Sequence, residues 1–207
     1  MKRDDTRRVA TEEIQKLLRE LRASGAIPPC ESSDRLVPGE GSPESGVAIV
    51  GEAPGQQEER LGRPFVGQAG RLLRSTLRDQ GIDPNSVWIT NVVKCRPTRL
   101  VGGRRVNRAP TTAEARLWEP WLMREMEIIR PKIILCLGNL AATTLVHKDF
   151  KMGTEHGLWF DGPYDSKVLA TYHPAYVLRQ VGPNATEVRK SFAEDIRKVA
   201  EKVRQIA

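Results

Sequence analysis

Residues 47–55 read VAIVGEAPG, four apolar residues that run without interruption into glycine, glutamate and proline. A run this short, rich in β-branched residues and sharply stopped, fits a strand buried on both faces. Three further runs share the pattern: Val87–Thr90, Ile133–Leu137 and Val168–Thr171. Helical periodicity fills the intervals, over Gln68–Gln80, Thr112–Ile129 and Leu140–His147. It returns over Asn184–Ile206, where Val188, Phe192, Ile196, Val199 and Val203 share one face. Thr111 with Glu114 makes a capping box for the second of these helices, and Pro120 within it predicts a kink or a late start. Strands alternating with helices predict an α/β fold, a three-layer α/β/α sandwich around a mainly parallel four-stranded sheet. Upstream, residues 9–23 place Ile14, Leu17, Leu18 and Leu21 on one helical face, and Pro28–Gly46 is too rich in Gly, Pro and Ser for regular structure. The expected organisation is a single domain over 1–207, with residues 1–8 disordered and residues 9–46 forming a helix and an irregular connection.

Composition narrows the class. With 39% hydrophobic and 29% charged residues in 207, the chain can bury a core, which excludes wholesale disorder. No apolar run approaches the roughly 20 residues that span a bilayer, and the start lacks a secretory leader. The expectation is a cytoplasmic protein without a membrane partner. Cys30, Cys95 and Cys136 are too few for a disulfide framework and match no zinc spacing. The net charge of +7 is concentrated: between Arg60 and Arg108, eleven Lys/Arg face two acids, a local excess of nine. Such a cluster reads either as a solvated basic face or as a footprint for nucleic acid.

In α/β sheets the ligand site lies beyond the carboxyl ends of the strands. Three of the four expected strands end there in residues suited to chemistry. The first exits into Gly51-Glu52-Ala53-Pro54-Gly55, the second into Asn91, and the fourth into Tyr172-His173-Pro174.

Taken in order, GEAPG (51–55), GRPFVGQAGRLL (62–73), ITNVVKCRP (89–97) and TYHPAYVLR (171–179) resemble the uracil-DNA glycosylase superfamily, most of all its family 4 branch. The resemblance runs from about Pro38 to Arg179. It implies a monofunctional DNA repair enzyme that flips uracil out of DNA and hydrolyses its N-glycosidic bond, leaving an abasic site. Phe65, otherwise an ordinary core aromatic, becomes the stacking platform for the flipped base. Asn91 offers an amide oxygen to N3–H and an amide NH₂ to O4, a pattern that cytosine reverses. His173 would donate to uracil O2 as charge develops there. Glu52 is the carboxylate placed to orient or activate water, and backbone N–H groups around Gly51 and Ala53 would contact the base. Pro174, Val177, Leu178 and Arg179 match the loop that enters the minor groove beside the flipped nucleotide. Gly67 and Gly70 suit either a phosphate contact or a plain helix start. His147 and His156 match no motif and read as surface or packing residues, and Glu58 and Glu59 as solvated loop acids.

The chain departs from that family in two places. Family 4 members hold a [4Fe–4S] cluster with four cysteines, whereas here only Cys95 and Cys30 match ligand positions and Trp118 stands at the fourth. No cofactor or metal is expected, and packing that involves Trp118 and Trp121 would hold the N-terminal connection. Arg104-Arg105-Val106-Asn107 aligns with an insertion whose histidine forms a sugar adduct in a covalently trapping branch. With Asn107 there, ordinary turnover is expected, and Arg104 and Arg105 would grip DNA phosphate. Gly55 leaves space where some branches carry a bulky aromatic, so thymine's methyl is not excluded there; a glycosylase for another deaminated base, such as hypoxanthine, is the first alternative. A damage-binding protein without turnover is the second alternative. The expected partner is uracil-containing DNA, engaged by a monomer.

Overall fold

The computed structural model describes residues 2–25, 27–30 and 35–206, with side chains from Val9 onward. Its centre is a six-stranded sheet in the order β1-β3-β2-β6-β8-β7. The four expected strands are its parallel middle: β2 (Val47–Gly51), β3 (Trp88–Asn91), β6 (Ile133–Leu137) and β8 (Lys167–Thr171). Two short antiparallel strands, β1 (Glu40–Gly41) and β7 (Trp159–Asp161), close the edges, which corrects the strand count from four to six. A separate hairpin, β4 (Thr98–Val101) with β5 (Arg104–Asn107), projects from the loop after β3. Its two-residue turn is Gly102-Gly103, both at positive φ, as a tight hairpin requires.

Strand residues alternate between two cores. Ala48, Val50, Ile134, Cys136, Val168 and Ala170 face α1 (Lys2–Ala23), α4 (Thr112–Ile129) and α5 (Asn139–Leu145). Val47, Ile49, Ile133, Leu135, Leu137 and Leu169 face α3 (Gln68–Asp79), α7 (Pro174–Arg179) and α8 (Pro183–Ile206). This is the three-layer sandwich. Both cores are needed because a parallel sheet leaves neither face to water. Two short helices, α2 (Gln56–Leu61) and α6 (Met152–Glu155), decorate the loops.

Helix α4 starts where the capping box predicts, with Thr111 Oγ1 accepting from Glu114 N at 3.1 Å. It runs through Pro120 without the late start expected of that residue. Helix α1 begins at Lys2, well ahead of residue 9. Of the connection read as irregular, residues 31–34 lie outside the described residues; the remainder contributes β1 and then leads into β2.

Candidate active site

The carboxyl ends of β2, β3 and β8 open into one cleft of about 930 Å³, lined by Glu52, Ala53, Phe65, Asn91, His173 and Arg179 among others. Gly51 is the pivot. A Cβ there would lie 2.4 Å from Phe65 Cζ and 2.5 Å from Asn91 Oδ1, so only glycine lets the ring and the amide meet over the strand end.

Phe65 has φ of +52°, a left-handed conformation costly for a bulky side chain. Its loop is clamped from both sides. Glu58 Oε1 accepts from Val66 N at 3.0 Å and Gly67 N at 2.7 Å, and its other oxygen accepts from Gly55 N at 3.1 Å. From the opposite side Arg74 Nε donates to Phe65 O at 3.1 Å, while Glu40 holds that guanidinium. Glu58 is therefore a loop clamp and not a solvated acid. Gly70 packs directly under the Phe65 backbone and Gly67 caps α3, so both glycines serve the helix start and the loop. The space beside Gly55 is taken: a Cβ there would meet Glu58 Oε2 at 2.8 Å and Asn107 Nδ2 at 3.5 Å.

Asn91 is buried at 2% exposure, and among the described residues its Oδ1 is the one buried side-chain oxygen or nitrogen without a hydrogen-bond partner. A buried acceptor left empty costs free energy unless a ligand supplies the donor. Facing the same cleft, His173 caps α7: its Nδ1 accepts from Ala175 N at 3.1 Å. That bond assigns the ring proton to Nε2. Burial, helped by the Arg179 charge, pulls the His173 pKa down to about 4, so the ring is neutral and its free nitrogen is a donor. Its centroid lies 6.0 Å from that of Phe65, tilted by 32°.

The Glu52 carboxylate turns toward the start of α5, where Oε1 accepts from Leu140 N at 3.4 Å. Burial raises its pKa above the ordinary carboxylate range, against the lowering effects of Leu140 N–H and the Arg179 charge.

The structure divides the segment after His173. It is a helix, not a loop, and Pro174 and Val177 are buried in it. Val177 packs with Leu73, Leu77 and Phe192 and is unavailable to DNA, which corrects that expectation. Leu178 is 42% exposed and Arg179 is exposed at the cleft. Tyr176, 39% exposed and stacked at 5.4 Å on Tyr172, also lines the cleft. Tyr172 stood out in the sequence only as part of the strand-end motif, and Tyr176 was given no role. His156 has a larger role than surface packing: its Nδ1 lies 2.8 Å from buried Asp195 Oδ2, which also accepts from Thr171 Oγ1 at 2.8 Å.

Six cations of the basic block share four carboxylates. Of its eleven cations, Arg63 and Arg74 pair with Glu40, Arg96 and Arg105 with Glu59, Arg108 with Glu114, and Lys94 with Glu125. Arg105 is thereby tied to the protein, while Arg104 is exposed. Asn107 reaches the cleft mouth and accepts from Arg96 Nε at 2.6 Å.

Cys30 and Cys95 form a disulfide with Cα atoms 5.3 Å apart, a pairing that the cysteine count did not predict. Trp118, fully buried, donates from Nε1 to Pro28 O at 2.8 Å beside it. Cys136 sits alone in the middle of β6, where burial pushes its thiol pKa up. Among the described residues no group of three His, Cys, Asp or Glu could hold a metal ion. A four-cysteine cluster does not fit this donor set.

The parallel-centred α/β sandwich thus brings a partly apolar cleft and a buried amide oxygen without a partner together at the strand ends. The chain belongs to the uracil-DNA glycosylase superfamily, whose family model matches residues 38–197. It is 37% identical to the Type-4 uracil-DNA glycosylase of Thermotoga maritima over 189 residues, 90% of this chain and 93% of the relative. It is 38% identical to the Type-4 uracil-DNA glycosylase of Pyrobaculum aerophilum, over 89% of this chain and 91% of the relative. Similarity extends to the Type-5 uracil-DNA glycosylase of Thermus thermophilus, 30% identical over 77% of each chain.

Proposed function

We propose that this chain is a monofunctional uracil-DNA glycosylase of DNA repair, acting as a cytoplasmic monomer without an iron–sulfur cluster. The observation that carries the reading is the buried, partnerless Asn91 Oδ1, an acceptor matched to uracil N3–H and mismatched to cytosine, which has an unprotonated N3. The flipped ring stacks on Phe65, and the Asn91 amide NH₂ donates to O4. Nε2–H of neutral His173 donates to O2. As the bond from C1′ to N1 breaks, negative charge spreads onto O2, and a fixed donor in a partly dry site stabilises that charge most. Water adds to C1′; Glu52, made more basic by burial, orients it and can accept its proton. The uracil anion leaves and takes a proton from solvent. Leu178 is the apolar side chain available to fill the space left in the stack, with Arg179 and Arg104 free for phosphate. With three cysteines in the whole chain, two of them at the family's ligand positions, a four-cysteine cluster lacks its donors, which supports the absence of a cluster.

The test is release of base from single- and double-stranded oligonucleotides that carry uracil, hypoxanthine or neither. The expected result is free uracil and an abasic site, with no lyase cleavage. Salt-sensitive binding without abasic product would leave a damage-binding protein, and purified protein with stoichiometric iron and sulfide would overturn the cluster-free assignment.

A further inference from the structure

Outside the cleft, among the described residues, one ion pair is buried at both ends, and it touches the backbone of the base-reading residue. Lys94 is 4% exposed and spends all three of its ammonium protons. They go to Thr90 Oγ1 at 2.6 Å, the Asn91 carbonyl at 2.7 Å and Glu125 Oε2 at 2.5 Å. Glu125, from α4, also accepts from Trp88 Nε1 at 2.9 Å through its other oxygen and from Thr90 Oγ1 at 3.3 Å. Residues Ile14, Leu17 and Leu21 of α1 cover this network.

The location matters more than the pair. Strand β3 is held along one edge by β2 as far as Gly51 opposite Asn91. On its other edge β1 reaches only Trp88 and Ile89. Thr90 and Asn91 therefore lack a strand neighbour on that side, at the point where the Asn91 side chain must be aimed. Lys94 supplies the missing contact from a turn three residues further on, and Glu125 anchors it to α4. A buried ion pair is costly to desolvate and is often no more stabilising than apolar side chains of similar size. What distinguishes this pair is its contact with the unpartnered end of β3, where Lys94 Nζ donates to the Asn91 carbonyl.

We infer that Lys94, held by Glu125 and Thr90, is a positioning residue that fixes the backbone of Asn91 and so aims its amide at the base edge. The inference rests on the reading of Asn91 as the base-recognition residue. A displacement on the order of 1 Å at a site of this kind can cost about 100-fold in rate.

The experiment compares wild type with Lys94→Met/Glu125→Leu, which removes both charges together, and with Thr90→Val, which keeps the pair and deletes the bridging hydroxyl. Single-turnover uracil release is expected to fall by about 10- to 100-fold in the double variant and by a few-fold in Thr90→Val. Inhibition by free uracil should weaken in parallel, while affinity for uracil-free DNA stays within about twofold. A merely structural role would lower melting temperature and active fraction but leave uracil inhibition per active site unchanged. The side-chain amide protons of Asn91, followed by NMR, give a readout independent of turnover: one sharp pair in wild type, broadened or shifted in both variants. Should the double variant fail to fold, Thr90→Val still decides. Unchanged amide resonances and unchanged uracil inhibition in folded variants would overturn the inference. A wild type that releases no uracil yet shows the amide change would instead overturn the glycosylase reading and leave the positioning role standing.

Discussion

Replacing His173 with asparagine separates two jobs that one imidazole performs. Nδ1 caps α7 and Nε2–H faces the cleft. Asparagine is a good N-cap, so the helix keeps its cap; alanine would forfeit about 1 kcal/mol there. Neither residue reaches the base with a donor, and removal of one donor to a developing oxyanion costs about 100- to 1000-fold in rate. Both variants should therefore lose that factor in single-turnover release, and only His173→Ala should melt earlier. The wild-type ring supplies a second check. A pKa of about 4 against an ordinary 6.5 corresponds to about 3 kcal/mol of preference for the neutral ring in the folded state. The unfolded chain takes up that proton first, so this stability is fully present above pH 6.5 and is lost as pH falls toward about 4. Nitrogen-15 NMR of the His173 ring should show the Nε2–H tautomer unchanged through the neutral range. A ring that titrates near its ordinary pKa, or a His173→Asn variant with wild-type rate, would refute the assignment of the donor.

Three further outcomes follow from the same geometry. Gly51→Ala should keep the fold yet cut uracil release by at least about tenfold, because its Cβ collides with Phe65 and Asn91 at once; a crystal structure or the uracil inhibition constant checks it. Val177→Ala should cost about 2 kcal/mol of stability as a core truncation, whereas Leu178→Ala should leave stability within about 0.5 kcal/mol and weaken excision from duplex more than from single strands. Cys30→Ser/Cys95→Ser, or a reductant, opens a link spanning 65 residues, worth about 4 kcal/mol by loop entropy and roughly 8–16 °C in melting temperature; equal melting with and without reductant would count against the link.

The parallel core was legible because Val47–Val50 and its three counterparts are uninterrupted apolar runs. The edge strands were not. Glu40–Gly41 and Trp159–Asp161 are two and three residues long and owe their conformation to a neighbour, not to a pattern of their own. The hairpin had a local signal in Gly102-Gly103, hidden by the arginines on either side. At the site, motif residues Glu52, Phe65, Asn91 and His173 converge as their order suggested. What sequence could not convey was direction. Val177 and Leu178 are adjacent and equally apolar, and only the helical turn sends one into the core and the other to solvent. The same holds for Glu58, whose three backbone partners lie in a loop up to nine residues away.

The internal pairing of the basic block has a consequence for ionic strength. Binding to a polyanion is driven by release of condensed counterions, and the logarithm of affinity falls with the logarithm of salt by about 0.9 for each phosphate neutralised on duplex DNA. Eleven free cations between Arg60 and Arg108 would give a slope near −10. Among the described residues six are paired with Glu40, Glu59, Glu114 and Glu125, leaving Arg60, Arg71, Arg78, Arg99 and Arg104. Five contacts cap that block's share at about −4.5. A slope of that size, read from binding to uracil-free duplex across a salt series, is the expected signature of this pairing.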